Sequence, residues 1–299
     1  MRRMKKEKGY KSFIAVNLLP TLFLYGLFYI YPFLKTFYVS LFSWRGLSKN
    51  MTFIGFDNFI KLFKDPIIWK ATKNNLFFLV WGTIVIFFFS LFFATVMARK
   101  KFKEMGFYRI VFFFPNMLSI IVVGLIWKFI YNPSFGILNT VMEFLGLGKF
   151  IKVWLGDPST VMGALVVPQA WMYIGFYMLL FFAAMQNIPE ELYESAKLDG
   201  AGEIRQLTAI TLPLIWETMR TAFVFFVINA FSKTFNLVFV VTRGGPSRSS
   251  ELLTTYLYQN AFQFSDFGYA TAIGVYLFVI LFVISFIVLK FTKAETYEY

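Results

Sequence analysis

Residues 76–98 read LFFLVWGTIVIFFFSLFFATVMA, a stretch that contains no charged side chain. Arg99 closes this run at one end, and Lys73 lies just before its other end. A helix of this length, at about 1.5 Å per residue, crosses the roughly 30 Å hydrocarbon core of a bilayer. The stretch therefore predicts a transmembrane helix.

Comparable apolar runs recur along the chain, and each is bounded by charged residues, Pro or Gly. The least regular run follows Pro213, where Glu217 and Arg220 precede the apolar stretch and Lys233 interrupts it. The first run is longer and more aromatic than the apolar region of a cleaved signal peptide, so we expect it to remain as a helix. The six predicted spans are residues 12–34, 76–98, 110–130, 160–185, 214–240 and 267–289.

The overall composition supports the same class of protein. The 299 residues are 58% hydrophobic and only 15% charged, with a mean hydropathy of +0.64. Soluble domains are about 45–50% apolar and about 25% charged, so this chain has too little polar surface to cover a water-soluble globule. We therefore expect an all-α membrane protein with a single transmembrane domain over residues 1–299.

Several kinds of chemistry are excluded because the chain has no Cys and no His. Disulfides, thiolate nucleophiles, Cys/His zinc sites and imidazole acid–base catalysis all require one of these residues. The net charge of +13 resides mostly in tails and loops, where it indicates membrane topology and contact with anionic lipid headgroups rather than nucleic-acid binding.

The distribution of basic residues predicts the topology. The tail 1–11 and the loop 99–109 are densely basic, adjoin predicted spans and are separated by two of them. Short basic segments stay on the cytoplasmic side, so we expect both there, together with the C-terminal tail that carries Lys290 and Lys293. The segment 43–75 is also basic, but its charges are spread over a longer stretch, and we expect it outside.

Two short helices are expected in the loops predicted to be external. The sequence from Asp57, with an apolar stripe and Pro66 beyond it, is typical of a capped interfacial helix. Within the turn-rich loop 131–158, residues 137–147 have the composition of a second one.

The loop between the fourth and fifth spans, residues 188–213, reads IPEELYESAKLDGAGEIRQLTAITLP. Pro189 suits the start of a helix and Glu190 the positive end of its dipole, whereas Gly200 and Gly202 interrupt it. The pattern predicts two short amphipathic helices in the cytosol, with Pro213 at the return to the membrane. Their apolar faces either dock into a groove on another protein, or fold back on the bundle or the lipid headgroups. Periodicity alone leaves both interpretations open.

Spacing within this loop carries a resemblance to a known family. The pattern Glu-x-Ala-x3-Gly-x9-Ile-x-Leu-Pro is similar to the EAA loop of permease subunits in binding-protein-dependent ABC importers, and residues 199–202 and 211–213 resemble the carbohydrate-importing branch. The chain departs from that pattern at Ser195, where Ala is usual, and at Leu207, where an aromatic is usual. The loop residues assigned on this resemblance are Glu194, Ser195, Ala196, Asp199, Gly200, Ala201, Ile210, Leu212 and Pro213.

The resemblance continues over nearly the whole chain from about residue 13. The segment 242–246, with its sequence TRGGP, and residues 268–270 look like the first-named permease of maltose and glycerol-3-phosphate importers. It implies a type I ABC-importer-like bundle in a bacterial plasma membrane, with both termini cytoplasmic. It also implies a second homologous permease, two copies of a cytoplasmic ATPase and an extracytoplasmic solute-binding protein.

ATP and Mg would then be bound by the partner ATPase, and this chain would carry no cofactor and no catalytic residue. The sequence agrees, because it lacks the G-x-x-x-x-G-K-[ST] loop that cradles nucleotide phosphates. The resemblance implies that Glu194 makes a polar contact with the ATPase and that Gly200 forms the turn between the two loop helices. Import of a sugar or oligosaccharide is the function expected.

Substrate contacts are expected on the fourth and fifth spans, where polar groups are costly unless they face a cavity. Amides and hydroxyls would bind sugar hydroxyls, and aromatic faces would stack on a pyranose; the alternative is interhelical hydrogen bonding and lipid contact. Lys233 would reach the external interface, pair with an acid of the second permease or meet an anionic substrate. The candidates are Gln169, Trp171, Tyr173, Phe176, Asn229, Phe231, Lys233, Thr234 and Asn236.

Other functions stay open at this point. One is a permease for a related polar or anionic solute, such as glycerol phosphate, a uronate or sialic acid. A secondary transporter would need coupling sites, usually acidic residues within the spans or broken helices, and no Asp or Glu is central to any span. An intramembrane enzyme would be left with a Ser/Lys arrangement around Lys233, and a purely structural membrane subunit would have a similar sequence. The sequence does not identify the substrate or the partner chains.

Overall fold

The computed structural model describes residues 2–46, 50–100 and 103–292. Lys101 and Lys293, which belong to two of the basic segments counted above, lie outside the described residues. By its internal contacts the chain divides into two compact units. The first comprises Met1–Lys64 and Leu257–Leu277, and the second comprises Asp65–Tyr256 and Phe278–Tyr299.

Within the described residues, five helices are long and apolar enough to cross a membrane: Val16–Val39, Pro66–Arg99, Val161–Gln186, Trp216–Val241 and Phe267–Phe291. A sixth candidate is the helix pair Met105–Met117 and Ile120–Ile130, which meets at 95°. The bend occurs because Leu118 and Ser119, between the two helices, have extended backbones. The six predicted spans are matched when this pair is taken as one.

The first unit begins with a long helical rod and continues through a tight ribbon. The rod consists of α1 (Arg2–Tyr25), a π-helical turn (Gly26–Ile30) and α2 (Tyr31–Val39). Two short antiparallel strands, β1 (Phe42–Ser43) and β2 (Thr52–Phe53), then lead into α3 (Asp57–Lys64).

Buried Asn58 holds the start of α3 against this ribbon, since its amide donates to the carbonyls of Ser40 at 2.9 Å and Phe42 at 3.0 Å. The short helix predicted to begin at Asp57 is therefore present. Lys61 on α3 forms an ion pair with Asp266 at 2.9 Å. These contacts attach α3 to the ribbon through Asn58 and to Asp266 through Lys61.

The second unit contains most of the remaining helices. In chain order they are α4 (Pro66–Arg99), α5 (Met105–Met117), α6 (Ile120–Ile130), α7 (Ile137–Phe144), α8 (Val161–Gln186), α9 (Glu190–Leu198), α10 (Glu203–Gln206), α11 (Leu212–Leu214), α12 (Trp216–Ser232) and α13 (Thr234–Val241). A 3-10 turn (Gly148–Phe150) follows α7, and a π-helical turn (Leu207–Thr211) links α10 to α11. Two further helices contribute to both units, α14 (Leu253–Tyr258), which continues as a π-helical turn (Gln259–Gln263), and α15 (Phe267–Phe291).

The second span starts ten residues before the predicted boundary at residue 76. The Asp65 carboxylate accepts a hydrogen bond from the Ile67 N–H at 2.8 Å and caps the helix, and Pro66 occupies its first turn. Proline is favoured there because its missing N–H would have no partner in any case. Pro66 therefore begins α4, whereas the apolar run alone gave no sign of the polar turns that precede it.

Those polar turns bind the segment after α13. Lys70 donates to the Ser247 carbonyl at 2.9 Å, and Asn74 donates to the carbonyls of Ser249 at 3.0 Å and Glu251 at 2.8 Å. The residues that follow the TRGGP segment, 247–251, are thus secured to the start of α4 by side-chain hydrogen bonds to their backbone.

The helix α8 forms the centre of the second unit, with 67% of its most apolar stretch buried. Ser90 on α4 donates to the Ile174 carbonyl of α8 at 2.8 Å. On another side of α8, a Cβ at Gly175 would overlap the Phe112 carbonyl of α5, so only glycine permits this approach. The helix α8, from which the loop 188–213 continues, is consequently packed closely against both α4 and α5.

The loop between α6 and α8 contains the short helix expected within 137–147, present as α7. Closer to α8, the Asp157 carboxylate accepts hydrogen bonds from the backbone N–H and the hydroxyl of Ser159, each at 2.8 Å. These bonds, first the backbone one, lower the pKa of Asp157 below its ordinary value.

Candidate functional site

The loop between α8 and α12 contains the two short helices that the sequence predicts. Pro189 has an extended backbone and precedes the first turn of α9. The negative charge of Glu190 in that turn interacts favourably with the positive end of the helix dipole. The helix ends in a Schellman turn: the N–H of Gly200 binds the Lys197 carbonyl at 3.0 Å, and that of Ala201 binds the Ala196 carbonyl at 2.8 Å. Gly200 has a φ of +77°, the left-handed conformation that this turn requires and that glycine adopts without strain.

The second arm starts at Gly202, which is extended, and runs from α10 through the π-helical turn into α11. Buried Gln206 folds back to donate to the Ala201 carbonyl at 2.8 Å. The hydroxyls of Tyr193 on α9 and Thr211 on the second arm are 2.9 Å apart and share a hydrogen bond. The Tyr193–Thr211 bond therefore joins the two arms, and the Gln206 bond ties the second arm to the glycine turn.

The loop is anchored to the bundle at one end of α4. Arg99 donates to the backbone carbonyl of Glu203 at 2.7 Å, and its guanidinium lies 3.6 Å from the Glu203 carboxylate. A cavity of about 610 Å³ lies between the loop and the ends of α4 and α8, lined by polar groups of Thr95, Arg99 and Tyr193 among others. The loop is thus bonded to the end of α4 at Arg99 and separated from the helices elsewhere by this cavity.

The most exposed apolar side chains of the loop flank its glycine turn. Leu198 is 90% exposed and Ile204 is 79% exposed. Leu192 and Ala196 of α9 are half-buried, so Leu198 does not share their face. At about 100° per residue, Leu198 lies far around the helix from Ala196. Leu198 and Ile204 were not among the predicted site residues, although large apolar residues on both sides of a Gly-Ala-Gly turn were a signal that could have found them.

The predicted loop residues divide by exposure. Glu194, Ser195, Asp199, Gly200 and Pro213 are exposed, and Glu194 also lines the cavity. The remaining four are half-buried; they are Ala196, Ala201, Ile210 and Leu212.

The predicted substrate residues divide in the same way. Gln169 and Thr234, 4% and 3% exposed, meet in a hydrogen bond of 3.3 Å that links α8 to α13, which is the interhelical role considered as the alternative. Tyr173 and Phe231 are also buried. Asn229 is half-buried, and the others lie on uncovered surfaces of this chain; these are Trp171, Phe176, Lys233 and Asn236.

With this geometry established, comparison with known proteins identifies the family. The family described as "Binding-protein-dependent transport system inner membrane component" matches residues 87–294. The chain belongs to this family. It is therefore an inner-membrane permease subunit, a non-catalytic component whose ATPase is a separate subunit.

Two relatives are similar to this permease over almost its full length. One is the Bacillus subtilis protein named "Probable ABC transporter permease protein YurN", which is 38% identical over 94% of this chain and 98% of its own length. The other is the diacetylchitobiose uptake system permease protein NgcF of Streptomyces coelicolor, 36% identical over 96% of this chain and 84% of its own.

A solved structure has the same fold. A chain of a bacterial ABC transporter involved in the import of the acidic polysaccharide alginate superposes with a TM-score of 0.84. The match covers 97% of the permease and 98% of that chain, at 24% sequence identity. The type I importer-like bundle expected from the loop motif is therefore confirmed as the fold.

Proposed function

We propose that this permease forms half of the translocation pathway of an ATP-driven, binding-protein-dependent importer for a sugar or oligosaccharide. Residues 1–299 would act as one transmembrane permease domain, with both termini and the loop 188–213 in the cytosol. The observation that carries the proposal is the glycine turn flanked by two uncovered apolar side chains, Leu198 and Ile204. Carbohydrate as the substrate class is supported by relatives such as the diacetylchitobiose permease.

The loop has the properties of a coupling element. Its arms are tied to each other and to the end of α4, so a force on the turn reaches the bundle through Arg99 and through the covalent links to α8 and α12. Leu198 and Ile204 would each be buried in a groove of the ATPase, which stabilises association by removing apolar surface from water. Acidic side chains outnumber Lys197 and Arg205 in the loop, so we expect the rim of that groove to be mainly basic. The acids are Glu190, Glu191, Glu194, Asp199 and Glu203.

The partners follow from the same proposal. ATP and Mg would be held by two copies of the cytoplasmic ATPase, and a second, homologous permease would complete the pathway. An extracytoplasmic solute-binding protein would deliver the substrate, and lipid would cover the outer faces of the spans. This chain would bring no cofactor of its own. The pathway would be lined by the fourth and fifth spans, α8 and α12–α13.

Topology provides the first test. The chain has no Cys, so single-cysteine variants can be labelled at one defined place. Lys197→Cys in the loop and Phe144→Cys at the end of α7 are both at exposed positions. In intact cells, a membrane-impermeant maleimide should label Phe144→Cys and should reach Lys197→Cys only after permeabilisation. Labelling of Lys197→Cys in intact cells would refute the cytosolic loop and, with it, the coupling role.

Energy coupling provides the second test. We expect sugar uptake by the reconstituted complex to require ATP and the ATPase subunit, with no uptake driven by an ion gradient alone. Uptake that persists without the ATPase would favour a secondary transporter. If uptake is ATP-dependent and falls in Asn236→Leu, a change at an exposed candidate position, while assembly is retained, a purely structural subunit is excluded.

A further inference from the structure

The fifth span carries a polar stripe that its own chain leaves largely uncovered. Asn229 is half-buried, and Ser232, Lys233 and Asn236 are exposed. Residues three and four positions apart share one face of a helix, so these four side chains form a continuous strip along α12 and α13. Within the described residues, Lys233 has no carboxylate within ion-pair distance.

The depth of this stripe argues against contact with lipid. The span runs from Trp216 to Val241, so Asn229 lies at its midpoint and Asn236 only about 10 Å along it at 1.5 Å per residue. The hydrocarbon core extends about 15 Å to either side of its centre. A lysine can extend its ammonium to the headgroups, whereas the short amide of Asn236 cannot and would be left unsatisfied in lipid. Asn229 is hydrogen-bonded to Tyr177 of α8. Lys233 and Asn236 therefore need polar partners from outside this chain.

The packing of Thr234, the next residue along the chain, leaves Lys233 on the uncovered face. Thr234 is buried and accepts the hydrogen bond from Gln169, which fixes the start of α13 against α8. Lys233, immediately before it at the junction of α12 and α13, is exposed. Its ammonium is thus the one charge on the uncovered polar stripe, with a neutral amide about one turn away on each side.

We propose that Lys233 selects a substrate that carries a negatively charged group, so that the imported sugar is an acidic one, substituted with a carboxylate, sulfonate or phosphate. This inference rests on the proposed function and assigns the substrate class of the same pathway. An ammonium attracts anions in a low-dielectric cleft. A neutral sugar would remove water from the Lys233 ammonium without supplying a negative charge in its place, which is unfavourable. Asn229 and Asn236 would bind sugar hydroxyls on either side of the anionic group. An acid of the second permease is a less favourable occupant, because a permanently buried ion pair contributes little net stability.

The test compares two matched substrate series in the complete importer, reconstituted in proteoliposomes with its partner subunits and binding protein. One series consists of disaccharides containing glucuronate or galacturonate, and the other of the same disaccharides with the carboxyl group reduced to the alcohol. We expect wild-type uptake of the acidic series. In Lys233→Gln, kcat/KM for acidic sugars should fall about 10- to 100-fold, the range for a lost charged hydrogen bond, and Lys233→Arg should restore most of it.

The matched control is Lys128→Gln, which removes an exposed lysine at the end of α6 and should leave uptake unchanged. Wild-type uptake of the reduced series alone, or equal uptake of acidic sugars by Lys233→Gln, would overturn the proposal. A loss of complex assembly in Lys233→Gln, rescued by neutralising an acid of the second permease, would also overturn it, because Lys233 would then be a structural partner.

Discussion

Replacing Leu198 with Gln should weaken binding of the ATPase about 10- to 100-fold without destabilising the permease. Leu198 is 90% exposed in this chain, so the whole side chain is available to a partner and contributes little to the chain's own packing. Burial of a Leu side chain stabilises by about 1.5–3 kcal/mol, and about 1.4 kcal/mol corresponds to a tenfold change in affinity. Ile204, 79% exposed, should give a similar effect.

The assay is the affinity of the purified ATPase for permease complexes in nanodiscs, measured together with stimulation of ATP hydrolysis by the loaded binding protein. Thermal unfolding of each variant checks that the fold is retained. The matched control is Phe144→Gln, because Phe144 at the end of α7 is 89% exposed and belongs to a loop predicted to lie on the other side of the membrane. This control should bind the ATPase like the unmodified protein.

Two outcomes would refute the reasoning. Unchanged ATPase affinity in both Leu198→Gln and Ile204→Gln would mean that the two side chains are not buried by the motor subunit. An equal loss of affinity in Phe144→Gln would mean that the effect comes from general destabilisation of the complex and not from the loop.

The remaining predictions concern glycine positions, each with an internal control. Gly200→Ala places a β-carbon in the left-handed backbone region, which costs about 1–2 kcal/mol, and should reduce coupling of ATP hydrolysis to uptake. Gly146, in the loop after α7, has a φ of +72°, so Gly146→Ala carries the same strain and should leave coupling intact. Equal loss of coupling in both variants would count against a special role for the turn. Gly175→Ala should lower the free energy of unfolding of the permease by about 1–3 kcal/mol, because the new Cβ would meet the backbone of α5. Gly163 lies in the same helix with open space around it, so Gly163→Ala should be neutral or stabilising. Identical unfolding temperatures for these two variants would contradict the close packing.

The loop 188–213 shows which features of a site can be predicted from neighbouring residues in the sequence and which cannot. The glycine turn at Gly200 and the two loop helices were predictable, because helix starts, glycine stops and apolar spacing are properties of neighbouring residues. The direction in which Leu198 points was not, since it depends on how α9 is rotated against α4 and α8. The contact of Arg99 with Glu203 joins residues far apart in the sequence, and no spacing rule anticipates it.

The sequence by itself determined the membrane class, six apolar spans and the loop that names the family, because hydrophobic run length and short-range spacing act along the chain. Only the tertiary structure showed that α4 starts at Pro66, that Gln169 is bound by Thr234, and that Lys233 is left uncovered. The physical reason is that burial in a bundle is a property of pairs of helices. Whether a polar side chain within a span is satisfied depends on the helix packed against it, which its neighbours in the sequence do not specify.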